Sequence, residues 1–114
     1  MILLFLFVIP FENKNKIYDY GIVSIESISS DGVWLVRGHG DGNGYGSPYQ
    51  FVFTIAINED GIAEAMGFHG DSVPNKKQRE SIGEFLSKEL GTCPRVHFIR
   101  YRNKKITNNT MGFD

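Results

Sequence analysis

The sequence of 114 residues has few of the residues that build disulfide or metal sites. Its single cysteine, Cys93, cannot close an intramolecular bridge, so a disulfide scaffold is excluded. The three histidines, His39, His69 and His97, lie far apart and have no CxxC or HxxxH partner, so their spacing predicts no metal site. No apolar run reaches the roughly 20 residues of a spanning helix, and we therefore expect no transmembrane segment.

The formal net charge is only −1, but the charge is unevenly distributed. Residues 1–73 carry three basic and nine acidic side chains, whereas residues 74–114 carry nine basic and four acidic ones. A positive C-terminal third can meet an anion or an acidic partner, or it can pack beside the acidic remainder. The length suits one domain over residues 1–114 with a single core.

The chain begins with an apolar run, MILLFLFVIPF, over residues 1–11. It lacks a preceding basic residue and a small-residue cleavage site, which argues against a secretory signal and for a cytoplasmic protein. Enrichment in Phe, Val and Ile, ended by Pro10, predicts a buried strand. A strand donated to a neighbouring subunit would give a homo-oligomer. A membrane-surface anchor and a misassigned start codon remain alternatives.

The rest of the chain predicts strands, then one helix, then a strand. Strand patterns cover residues 20–28, 33–37, 50–57, 62–68 and 95–102, with a hairpin turn at residues 58–61. This order is β-β-β-β-α-β, with the N-terminal run as a possible extra strand. We expect an α+β fold: an antiparallel β-sheet of five or six strands with one main helix packed on a face.

A helix is predicted over residues 75–90. Asn75 can cap it, and Gln78, three residues on, completes a capping box. Glu84 and Lys88 form an i,i+4 pair, and Gly91 supplies the stop. The apolar residues recur at helical spacing and form one stripe: Ile82, Phe85, Leu86 and Leu90.

Residues 38–48 form a Gly-rich segment, GHGDGNGYGSP. It matches neither GxGxxG nor GxxxxGK[ST]. Asp41 and Asn43 are similar to the start of a calcium loop, but Val52 stands where that loop needs a bidentate carboxylate. The segment is interpreted as a long connection between strands, with a mobile lid over a ligand as the alternative.

The most specific motif lies in residues 73–86, which read VPNKKQRESIGEFL. This segment resembles the cofactor loop of the GCN5-related N-acetyltransferases, where a V-x-P-like strand end leads into Q/R-x-x-G-x-G/A and a helix. Gln78, Arg79 and Gly83 match that pattern, and Ser81 stands at the first glycine. The resemblance implies that these four residues bind acetyl-CoA, with its pyrophosphate at free N–H groups of Gln78 to Gly83 at the helix start.

The resemblance covers roughly residues 50–113 and implies a GNAT-like core. In that family the strand before the loop splays from the next strand, and the pantetheine arm lies between them. The equivalent strands here are residues 62–68 and 96–101. The two helices that usually follow the first strand of the family are missing from this chain. If the chain is an enzyme, the implied reaction is N-acetyl transfer.

The candidate catalytic residues are His69 and Asp71. His69 stands at a strand end, where Asp71 could orient its imidazole as a general base. The plainer interpretation is a hydrogen bond within a loop.

The segment LGTCPRVHFIRYRNKK, residues 90–105, resembles the C-terminal parts of short accessory proteins of tailed bacteriophages. That resemblance implies a non-catalytic protein that binds a protein partner in the host cytoplasm or in the virion.

A nucleic-acid-binding function is the remaining alternative. Basic and aromatic side chains on strand 95–102 and the following turn could track a phosphate backbone and stack bases. The overall charge of −1 argues against it, because such domains are usually basic. The candidates are Arg95, Arg100, Tyr101, Arg102 and Lys104.

Overall fold

The computed structural model describes residues 16–102 and 105–113, so the predicted strand at residues 1–11 lies outside the described part of the chain. One mixed sheet contains seven strands, which neighbour each other in chain order. They are β1 (Ile17–Asp19), β2 (Val23–Ser29), β3 (Val33–Gly38), β4 (Phe51–Ile57), β5 (Ala63–Gly70), β6 (Arg95–Arg102) and β7 (Lys105–Gly112). Helix α1 (Lys76–Glu84) follows β5 and continues as a π-helical turn, Phe85–Glu89.

The predicted α+β class, with one main helix on a mostly antiparallel sheet, is confirmed. Strands β5 and β6, which α1 connects, are the parallel pair, and the other neighbouring strands are antiparallel. Strands β1 and β7 were not predicted. Strand β7 has the polar sequence KITNNTMG, which has a weak strand propensity. It forms a strand because it pairs with β6 along its whole length, and such pairing can override local propensity.

The core lies between α1 and one face of the sheet. Alternate strand residues point to that face, as the period of two requires. Ala63 and Ala65 on β5 are small and buried, which lets the helix pack closely. The largest fully buried apolar side chains are Phe51, Phe53, Phe85, Phe113, Ile25, Ile55, Ile82 and Leu86.

A helix was predicted over residues 75–90; α1 begins at Lys76, and the π-helical turn that continues it ends at Glu89. The Asn75 side chain accepts from the Gln78 N–H, and the Gln78 side chain accepts from the Asn75 N–H, both at 2.9 Å. The predicted Lys88–Glu84 ion pair forms at 3.2 Å. The final turn is π-helical, since the Leu90 N–H donates to the Phe85 carbonyl. Gly91 then adopts φ +65°, a conformation that favours glycine.

A β-bulge interrupts β5. Met66 lies opposite Thr54, but His69 lies opposite Val52, so β5 carries one extra residue there. Gly67 accommodates the bulge with φ +68°. Strict alternation along β5 would place Phe68 on the same face as Met66, but the extra residue reverses the side-chain order. The Phe68 ring instead stacks on core phenylalanines at 5.8 and 6.0 Å.

Candidate functional site

Two loops meet at one end of the sheet, where β5 ends and the chain turns into α1. The carbonyl of Ile22 accepts from the His39 N–H at 2.8 Å and from Gln78 Nε2 at 3.3 Å. The Asp71 N–H donates to the Gln50 carbonyl at 3.0 Å. The Gln78–Ile22 bond holds the start of α1 beside the beginning of β2, and the Asp71–Gln50 bond holds the loop before α1 beside the beginning of β4.

The helix start offers two free backbone donors. The N–H groups of Lys76 and Lys77 form no hydrogen bond within the described part of the chain. Both side chains are exposed, and neither makes an ion pair with a described residue. Two unpaired amides, two ammonium groups and the positive end of the helix dipole together favour an anion.

The prediction that the N–H groups of Gln78 to Gly83 are free is wrong. The Gln78 N–H donates to Asn75 Oδ1, and the Arg79 N–H donates to the Asn75 carbonyl, each at 2.9 Å. Ser81 and Gly83 lie further along α1, where N–H groups bond within the helix. The capping box starts the helix at Lys76, which moves the free donors toward the N-terminus.

The four predicted cofactor residues therefore divide by position. Gln78 and Gly83 are buried, and Ser81 is half-buried within the helix. Arg79 is partly exposed, and its guanidinium donates to the Pro74 carbonyl at 2.9 Å. Arg79 is the member of the four that remains near the helix start with donors left over, since a guanidinium has five N–H groups.

Strands β5 and β6 stop pairing before they end, and this leaves a split beside the part of β5 from which the chain runs on to α1. The two strands pair in register only from Ala63–Val96 to Ala65–Phe98. Strand β5 runs on to Gly70 and β6 to Arg102 without further register pairs between them. The split lies at the carboxyl ends of two parallel strands, where ligands bind in open α/β sheets.

His69 and Asp71 do not form the predicted pair. Both are exposed, and no hydrogen bond joins their side chains. His69 nevertheless belongs to the part of β5 that no longer pairs with β6.

The residues of the nucleic-acid alternative lie along β6. Arg95 is exposed at the first position of the strand. The backbone of Arg100, Tyr101 and Arg102 belongs to β6, and Lys104 lies outside the residues that the structure describes. For the predicted nucleic-acid-binding residues after Arg95, the structure therefore describes the backbone of β6 alone.

The Gly-rich segment joins β3 to β4, as interpreted from the sequence. His39 is fully buried, with Nε2 2.7 Å from Ser24 Oγ and Nδ1 3.1 Å from both the Pro48 carbonyl and Ser47 Oγ. Because a carbonyl only accepts, Nδ1 carries the proton and Ser24 donates to Nε2. Ser24 is also buried, so this pair fastens the segment and has no access to a substrate. That anchoring argues against a mobile lid.

Sequence analysis missed this anchor, and it also missed a polar cluster on the other face of the sheet. Arg37, Glu26, Tyr45 and Tyr49 come together there, although they are far apart in sequence and match no motif. The sequence signal for this cluster was the pair of tyrosines, Tyr45 and Tyr49, in and directly after the Gly-rich segment.

Electrostatic and membrane features add little to the site. The backbone N–H of Asn43 donates to Asp41 and lowers the pKa of that carboxyl below its ordinary value. Across residues 16–102 and 105–113, no three His, Cys, Asp or Glu side chains lie close enough together to hold a metal ion. No helix in the same ranges is long and apolar enough to cross a membrane.

Comparison with known proteins adds no assignment: no protein-family model, no curated protein and no solved structure matches this chain.

Proposed function

We propose that this protein binds acetyl-CoA in an acetyltransferase-like site between the split strands and the start of α1. The observation that carries the proposal is the early end of the β5–β6 pairing, at Ala65 and Phe98, on the strand that leads through residues 71–75 into a helix N-terminus with free donors. A strand that splays from its parallel neighbour before the cofactor loop is what the resemblance to the N-acetyltransferases implies.

The split suits the pantetheine arm, which is extended and carries two amide groups. Between Met66 and Gly70, β5 is bound to β4 on one side and has no register partner in β6 on the other. An extended amide-bearing chain can bind such an edge as an added strand. The bulge at Gly67 turns this part of β5, which supports the separation of the two strands.

The helix start suits the pyrophosphate. Lys76 and Lys77 would contribute backbone N–H groups and ammonium charges, and Arg79 would contribute its remaining guanidinium donors. Gln78 holds this arrangement in place, because its side chain bonds both the Asn75 N–H and the Ile22 carbonyl.

Bound acetyl-CoA supplies an acetyl group that is activated as a thioester for transfer to an amine. His69 stands on the separated part of β5 and is exposed. In this proposal His69 is the general base that accepts the proton of an acceptor amine.

Thermal unfolding of the full chain with acetyl-CoA tests the proposal. At a hundred times its Kd, the ligand adds about 2.7 kcal/mol to the free energy of unfolding, which raises the melting temperature by several degrees. The double variant Lys76→Ala/Lys77→Ala and the variant Arg79→Ala should each weaken the shift.

Lys88→Ala is the matched control, because Lys88 is an exposed lysine at the far end of the same helical segment. It should leave the shift intact. No shift at millimolar acetyl-CoA contradicts the proposal and leaves the predictions of a phage accessory protein and of nucleic-acid binding. A shift that survives the Lys76, Lys77 and Arg79 variants contradicts the site.

A further inference from the structure

A second pocket lies on the sheet face opposite α1. Arg37 on β3 alternates with Val36 and Gly38, which are buried on the helix side, so its side chain points away from the helix. Its guanidinium pairs with Glu26 on β2 at 3.0 Å. The Tyr45 hydroxyl donates to the other Glu26 oxygen at 3.3 Å.

Two tyrosine rings lie near this guanidinium. The Arg37 guanidinium carbon is 5.8 Å from the ring centroids of both Tyr45 and Tyr49. An open pocket of about 270 Å³ is lined by Arg37, Tyr45, Gly46, Ser47 and Tyr49. Tyr45 and Tyr49 are 42% and 52% exposed, so a ligand can reach their side chains.

The segment that carries Tyr45 is fixed before any ligand arrives. The buried His39 anchors one end of it. Asp19 accepts from the Tyr45 N–H at 3.2 Å, and it sits so close to Gly44 that a Cβ there would lie 2.3 Å from its oxygen. A pocket fixed in advance loses less conformational entropy when it binds.

The size and the surfaces of the pocket indicate a single planar ring system. Its volume is below the roughly 300–1,000 Å³ of sites that hold drug-sized ligands, which suits a base or nucleoside. Tyrosine rings and guanidinium planes are the surfaces on which proteins stack nucleobases.

The charges around the pocket argue against a phosphate. Glu26 already neutralises Arg37. Two more carboxylates contact the lining: Asp19 bonds the Tyr45 N–H, and Asp41 accepts from Ser47 Oγ at 3.4 Å. We propose that this pocket binds a neutral planar heterocycle, a nucleobase or nucleoside, by stacking against Tyr45, Tyr49 and Arg37. This site is separate from the proposed acetyl-CoA site.

Titration of the full chain with adenosine, followed by NMR of tyrosine ring resonances, tests the inference. We expect saturable shifts of Tyr45 and Tyr49, with AMP binding more weakly than adenosine because of the three carboxylates. Tyr49→Leu should weaken adenosine binding at least tenfold, whereas Tyr49→Phe, which keeps the ring, should retain it. Ile62→Ala, at an exposed apolar residue in the β4–β5 turn, should leave binding unchanged.

Four results would overturn the inference. The first is the absence of tyrosine shifts with millimolar adenosine, and the second is adenosine binding that Tyr49→Leu does not affect. The third is tighter binding of AMP or of a single-stranded oligonucleotide than of adenosine. The fourth is equal binding of tetramethylammonium, which would indicate a cation site. The two proposed sites are separable, because Tyr49→Leu should not change the acetyl-CoA shift and Lys77→Ala should not change adenosine binding.

Discussion

Phe85 packs the helical segment against the sheet. Phe85 is fully buried at the start of the π-helical turn. Its ring makes edge contacts with Tyr18 on β1 at 5.0 Å and with Trp34 on β3 at 6.0 Å. Phe85→Ala removes both contacts and leaves a cavity beneath the helix.

The expected loss in unfolding free energy is about 3–5 kcal/mol, the usual range for a buried Phe→Ala change. Each edge contact accounts for about 0.5–1.5 kcal/mol of that loss. Phe85→Leu keeps much of the volume and loses only the aromatic geometry, so it should cost about half as much or less. Domains have total stabilities of about 5–15 kcal/mol, so the alanine variant should remain measurable but weakened.

Urea unfolding provides the assay, with Trp34 as the only tryptophan of the chain and a direct reporter of this contact. The slope for a domain of this size is about 1–3 kcal/mol per molar urea, so the midpoint of Phe85→Ala should fall by about 2 M. Val73→Ala is the control, since Val73 is 64% exposed and should change stability by about 0.5 kcal/mol at most. A Phe85→Ala protein within 1 kcal/mol of the parent would refute this account of the core.

Three further predictions concern single hydrogen-bonded side chains. Asn75→Ala should cost about 1 kcal/mol in urea unfolding, because it removes the acceptor of the capping box; a loss equal to that of an exposed control would contradict it. Ser24→Ala should cost about 1–3 kcal/mol by leaving His39 Nε2 without its buried partner, and unchanged stability would show that the anchor is unimportant. The pKa of Asp41 is lower in the folded protein than in the unfolded chain. Ionised Asp41 therefore stabilises the fold at pH values above its pKa in the unfolded chain, and this stabilisation is lost as the pH falls through its pKa in the folded protein. Asp41→Asn should therefore flatten the loss of stability below about pH 4 in urea midpoints measured against pH, and an unaltered profile would exclude this contribution.

Much of the fold could be predicted because local signals and tertiary structure agree. The capping box at Asn75, the stripe through Ile82 and Leu86, and strand β6 all appear where the sequence places them. Strand β7 could not be predicted, because its polar residues carry no alternating pattern and its conformation depends on pairing with β6.

The candidate site was harder to predict because it depends on distances between segments. The motif around Gln78 and Arg79 points to the start of the helix, but the amides of these two residues are not free. The Gln78 N–H donates to the Asn75 side chain in the capping box, and the Arg79 N–H donates to the Asn75 carbonyl. The β-bulge at Gly67 reverses which side chains of β5 face the core, and the alternation of residue types in the sequence does not reveal a bulge. The Arg37 pocket depends on the register between β2 and β3, and the sequence alone does not specify that register.

Amide ¹⁵N–¹H spectra recorded during a titration with acetyl-CoA test the central claim most directly. The account predicts saturable shifts confined to the amides of Lys76 and Lys77 and to those of Met66 to Gly70, with the Tyr45 amide unchanged. Shifts confined to the Tyr45 region, or no shifts at millimolar acetyl-CoA, would contradict the proposal that the split between β5 and β6 binds this cofactor.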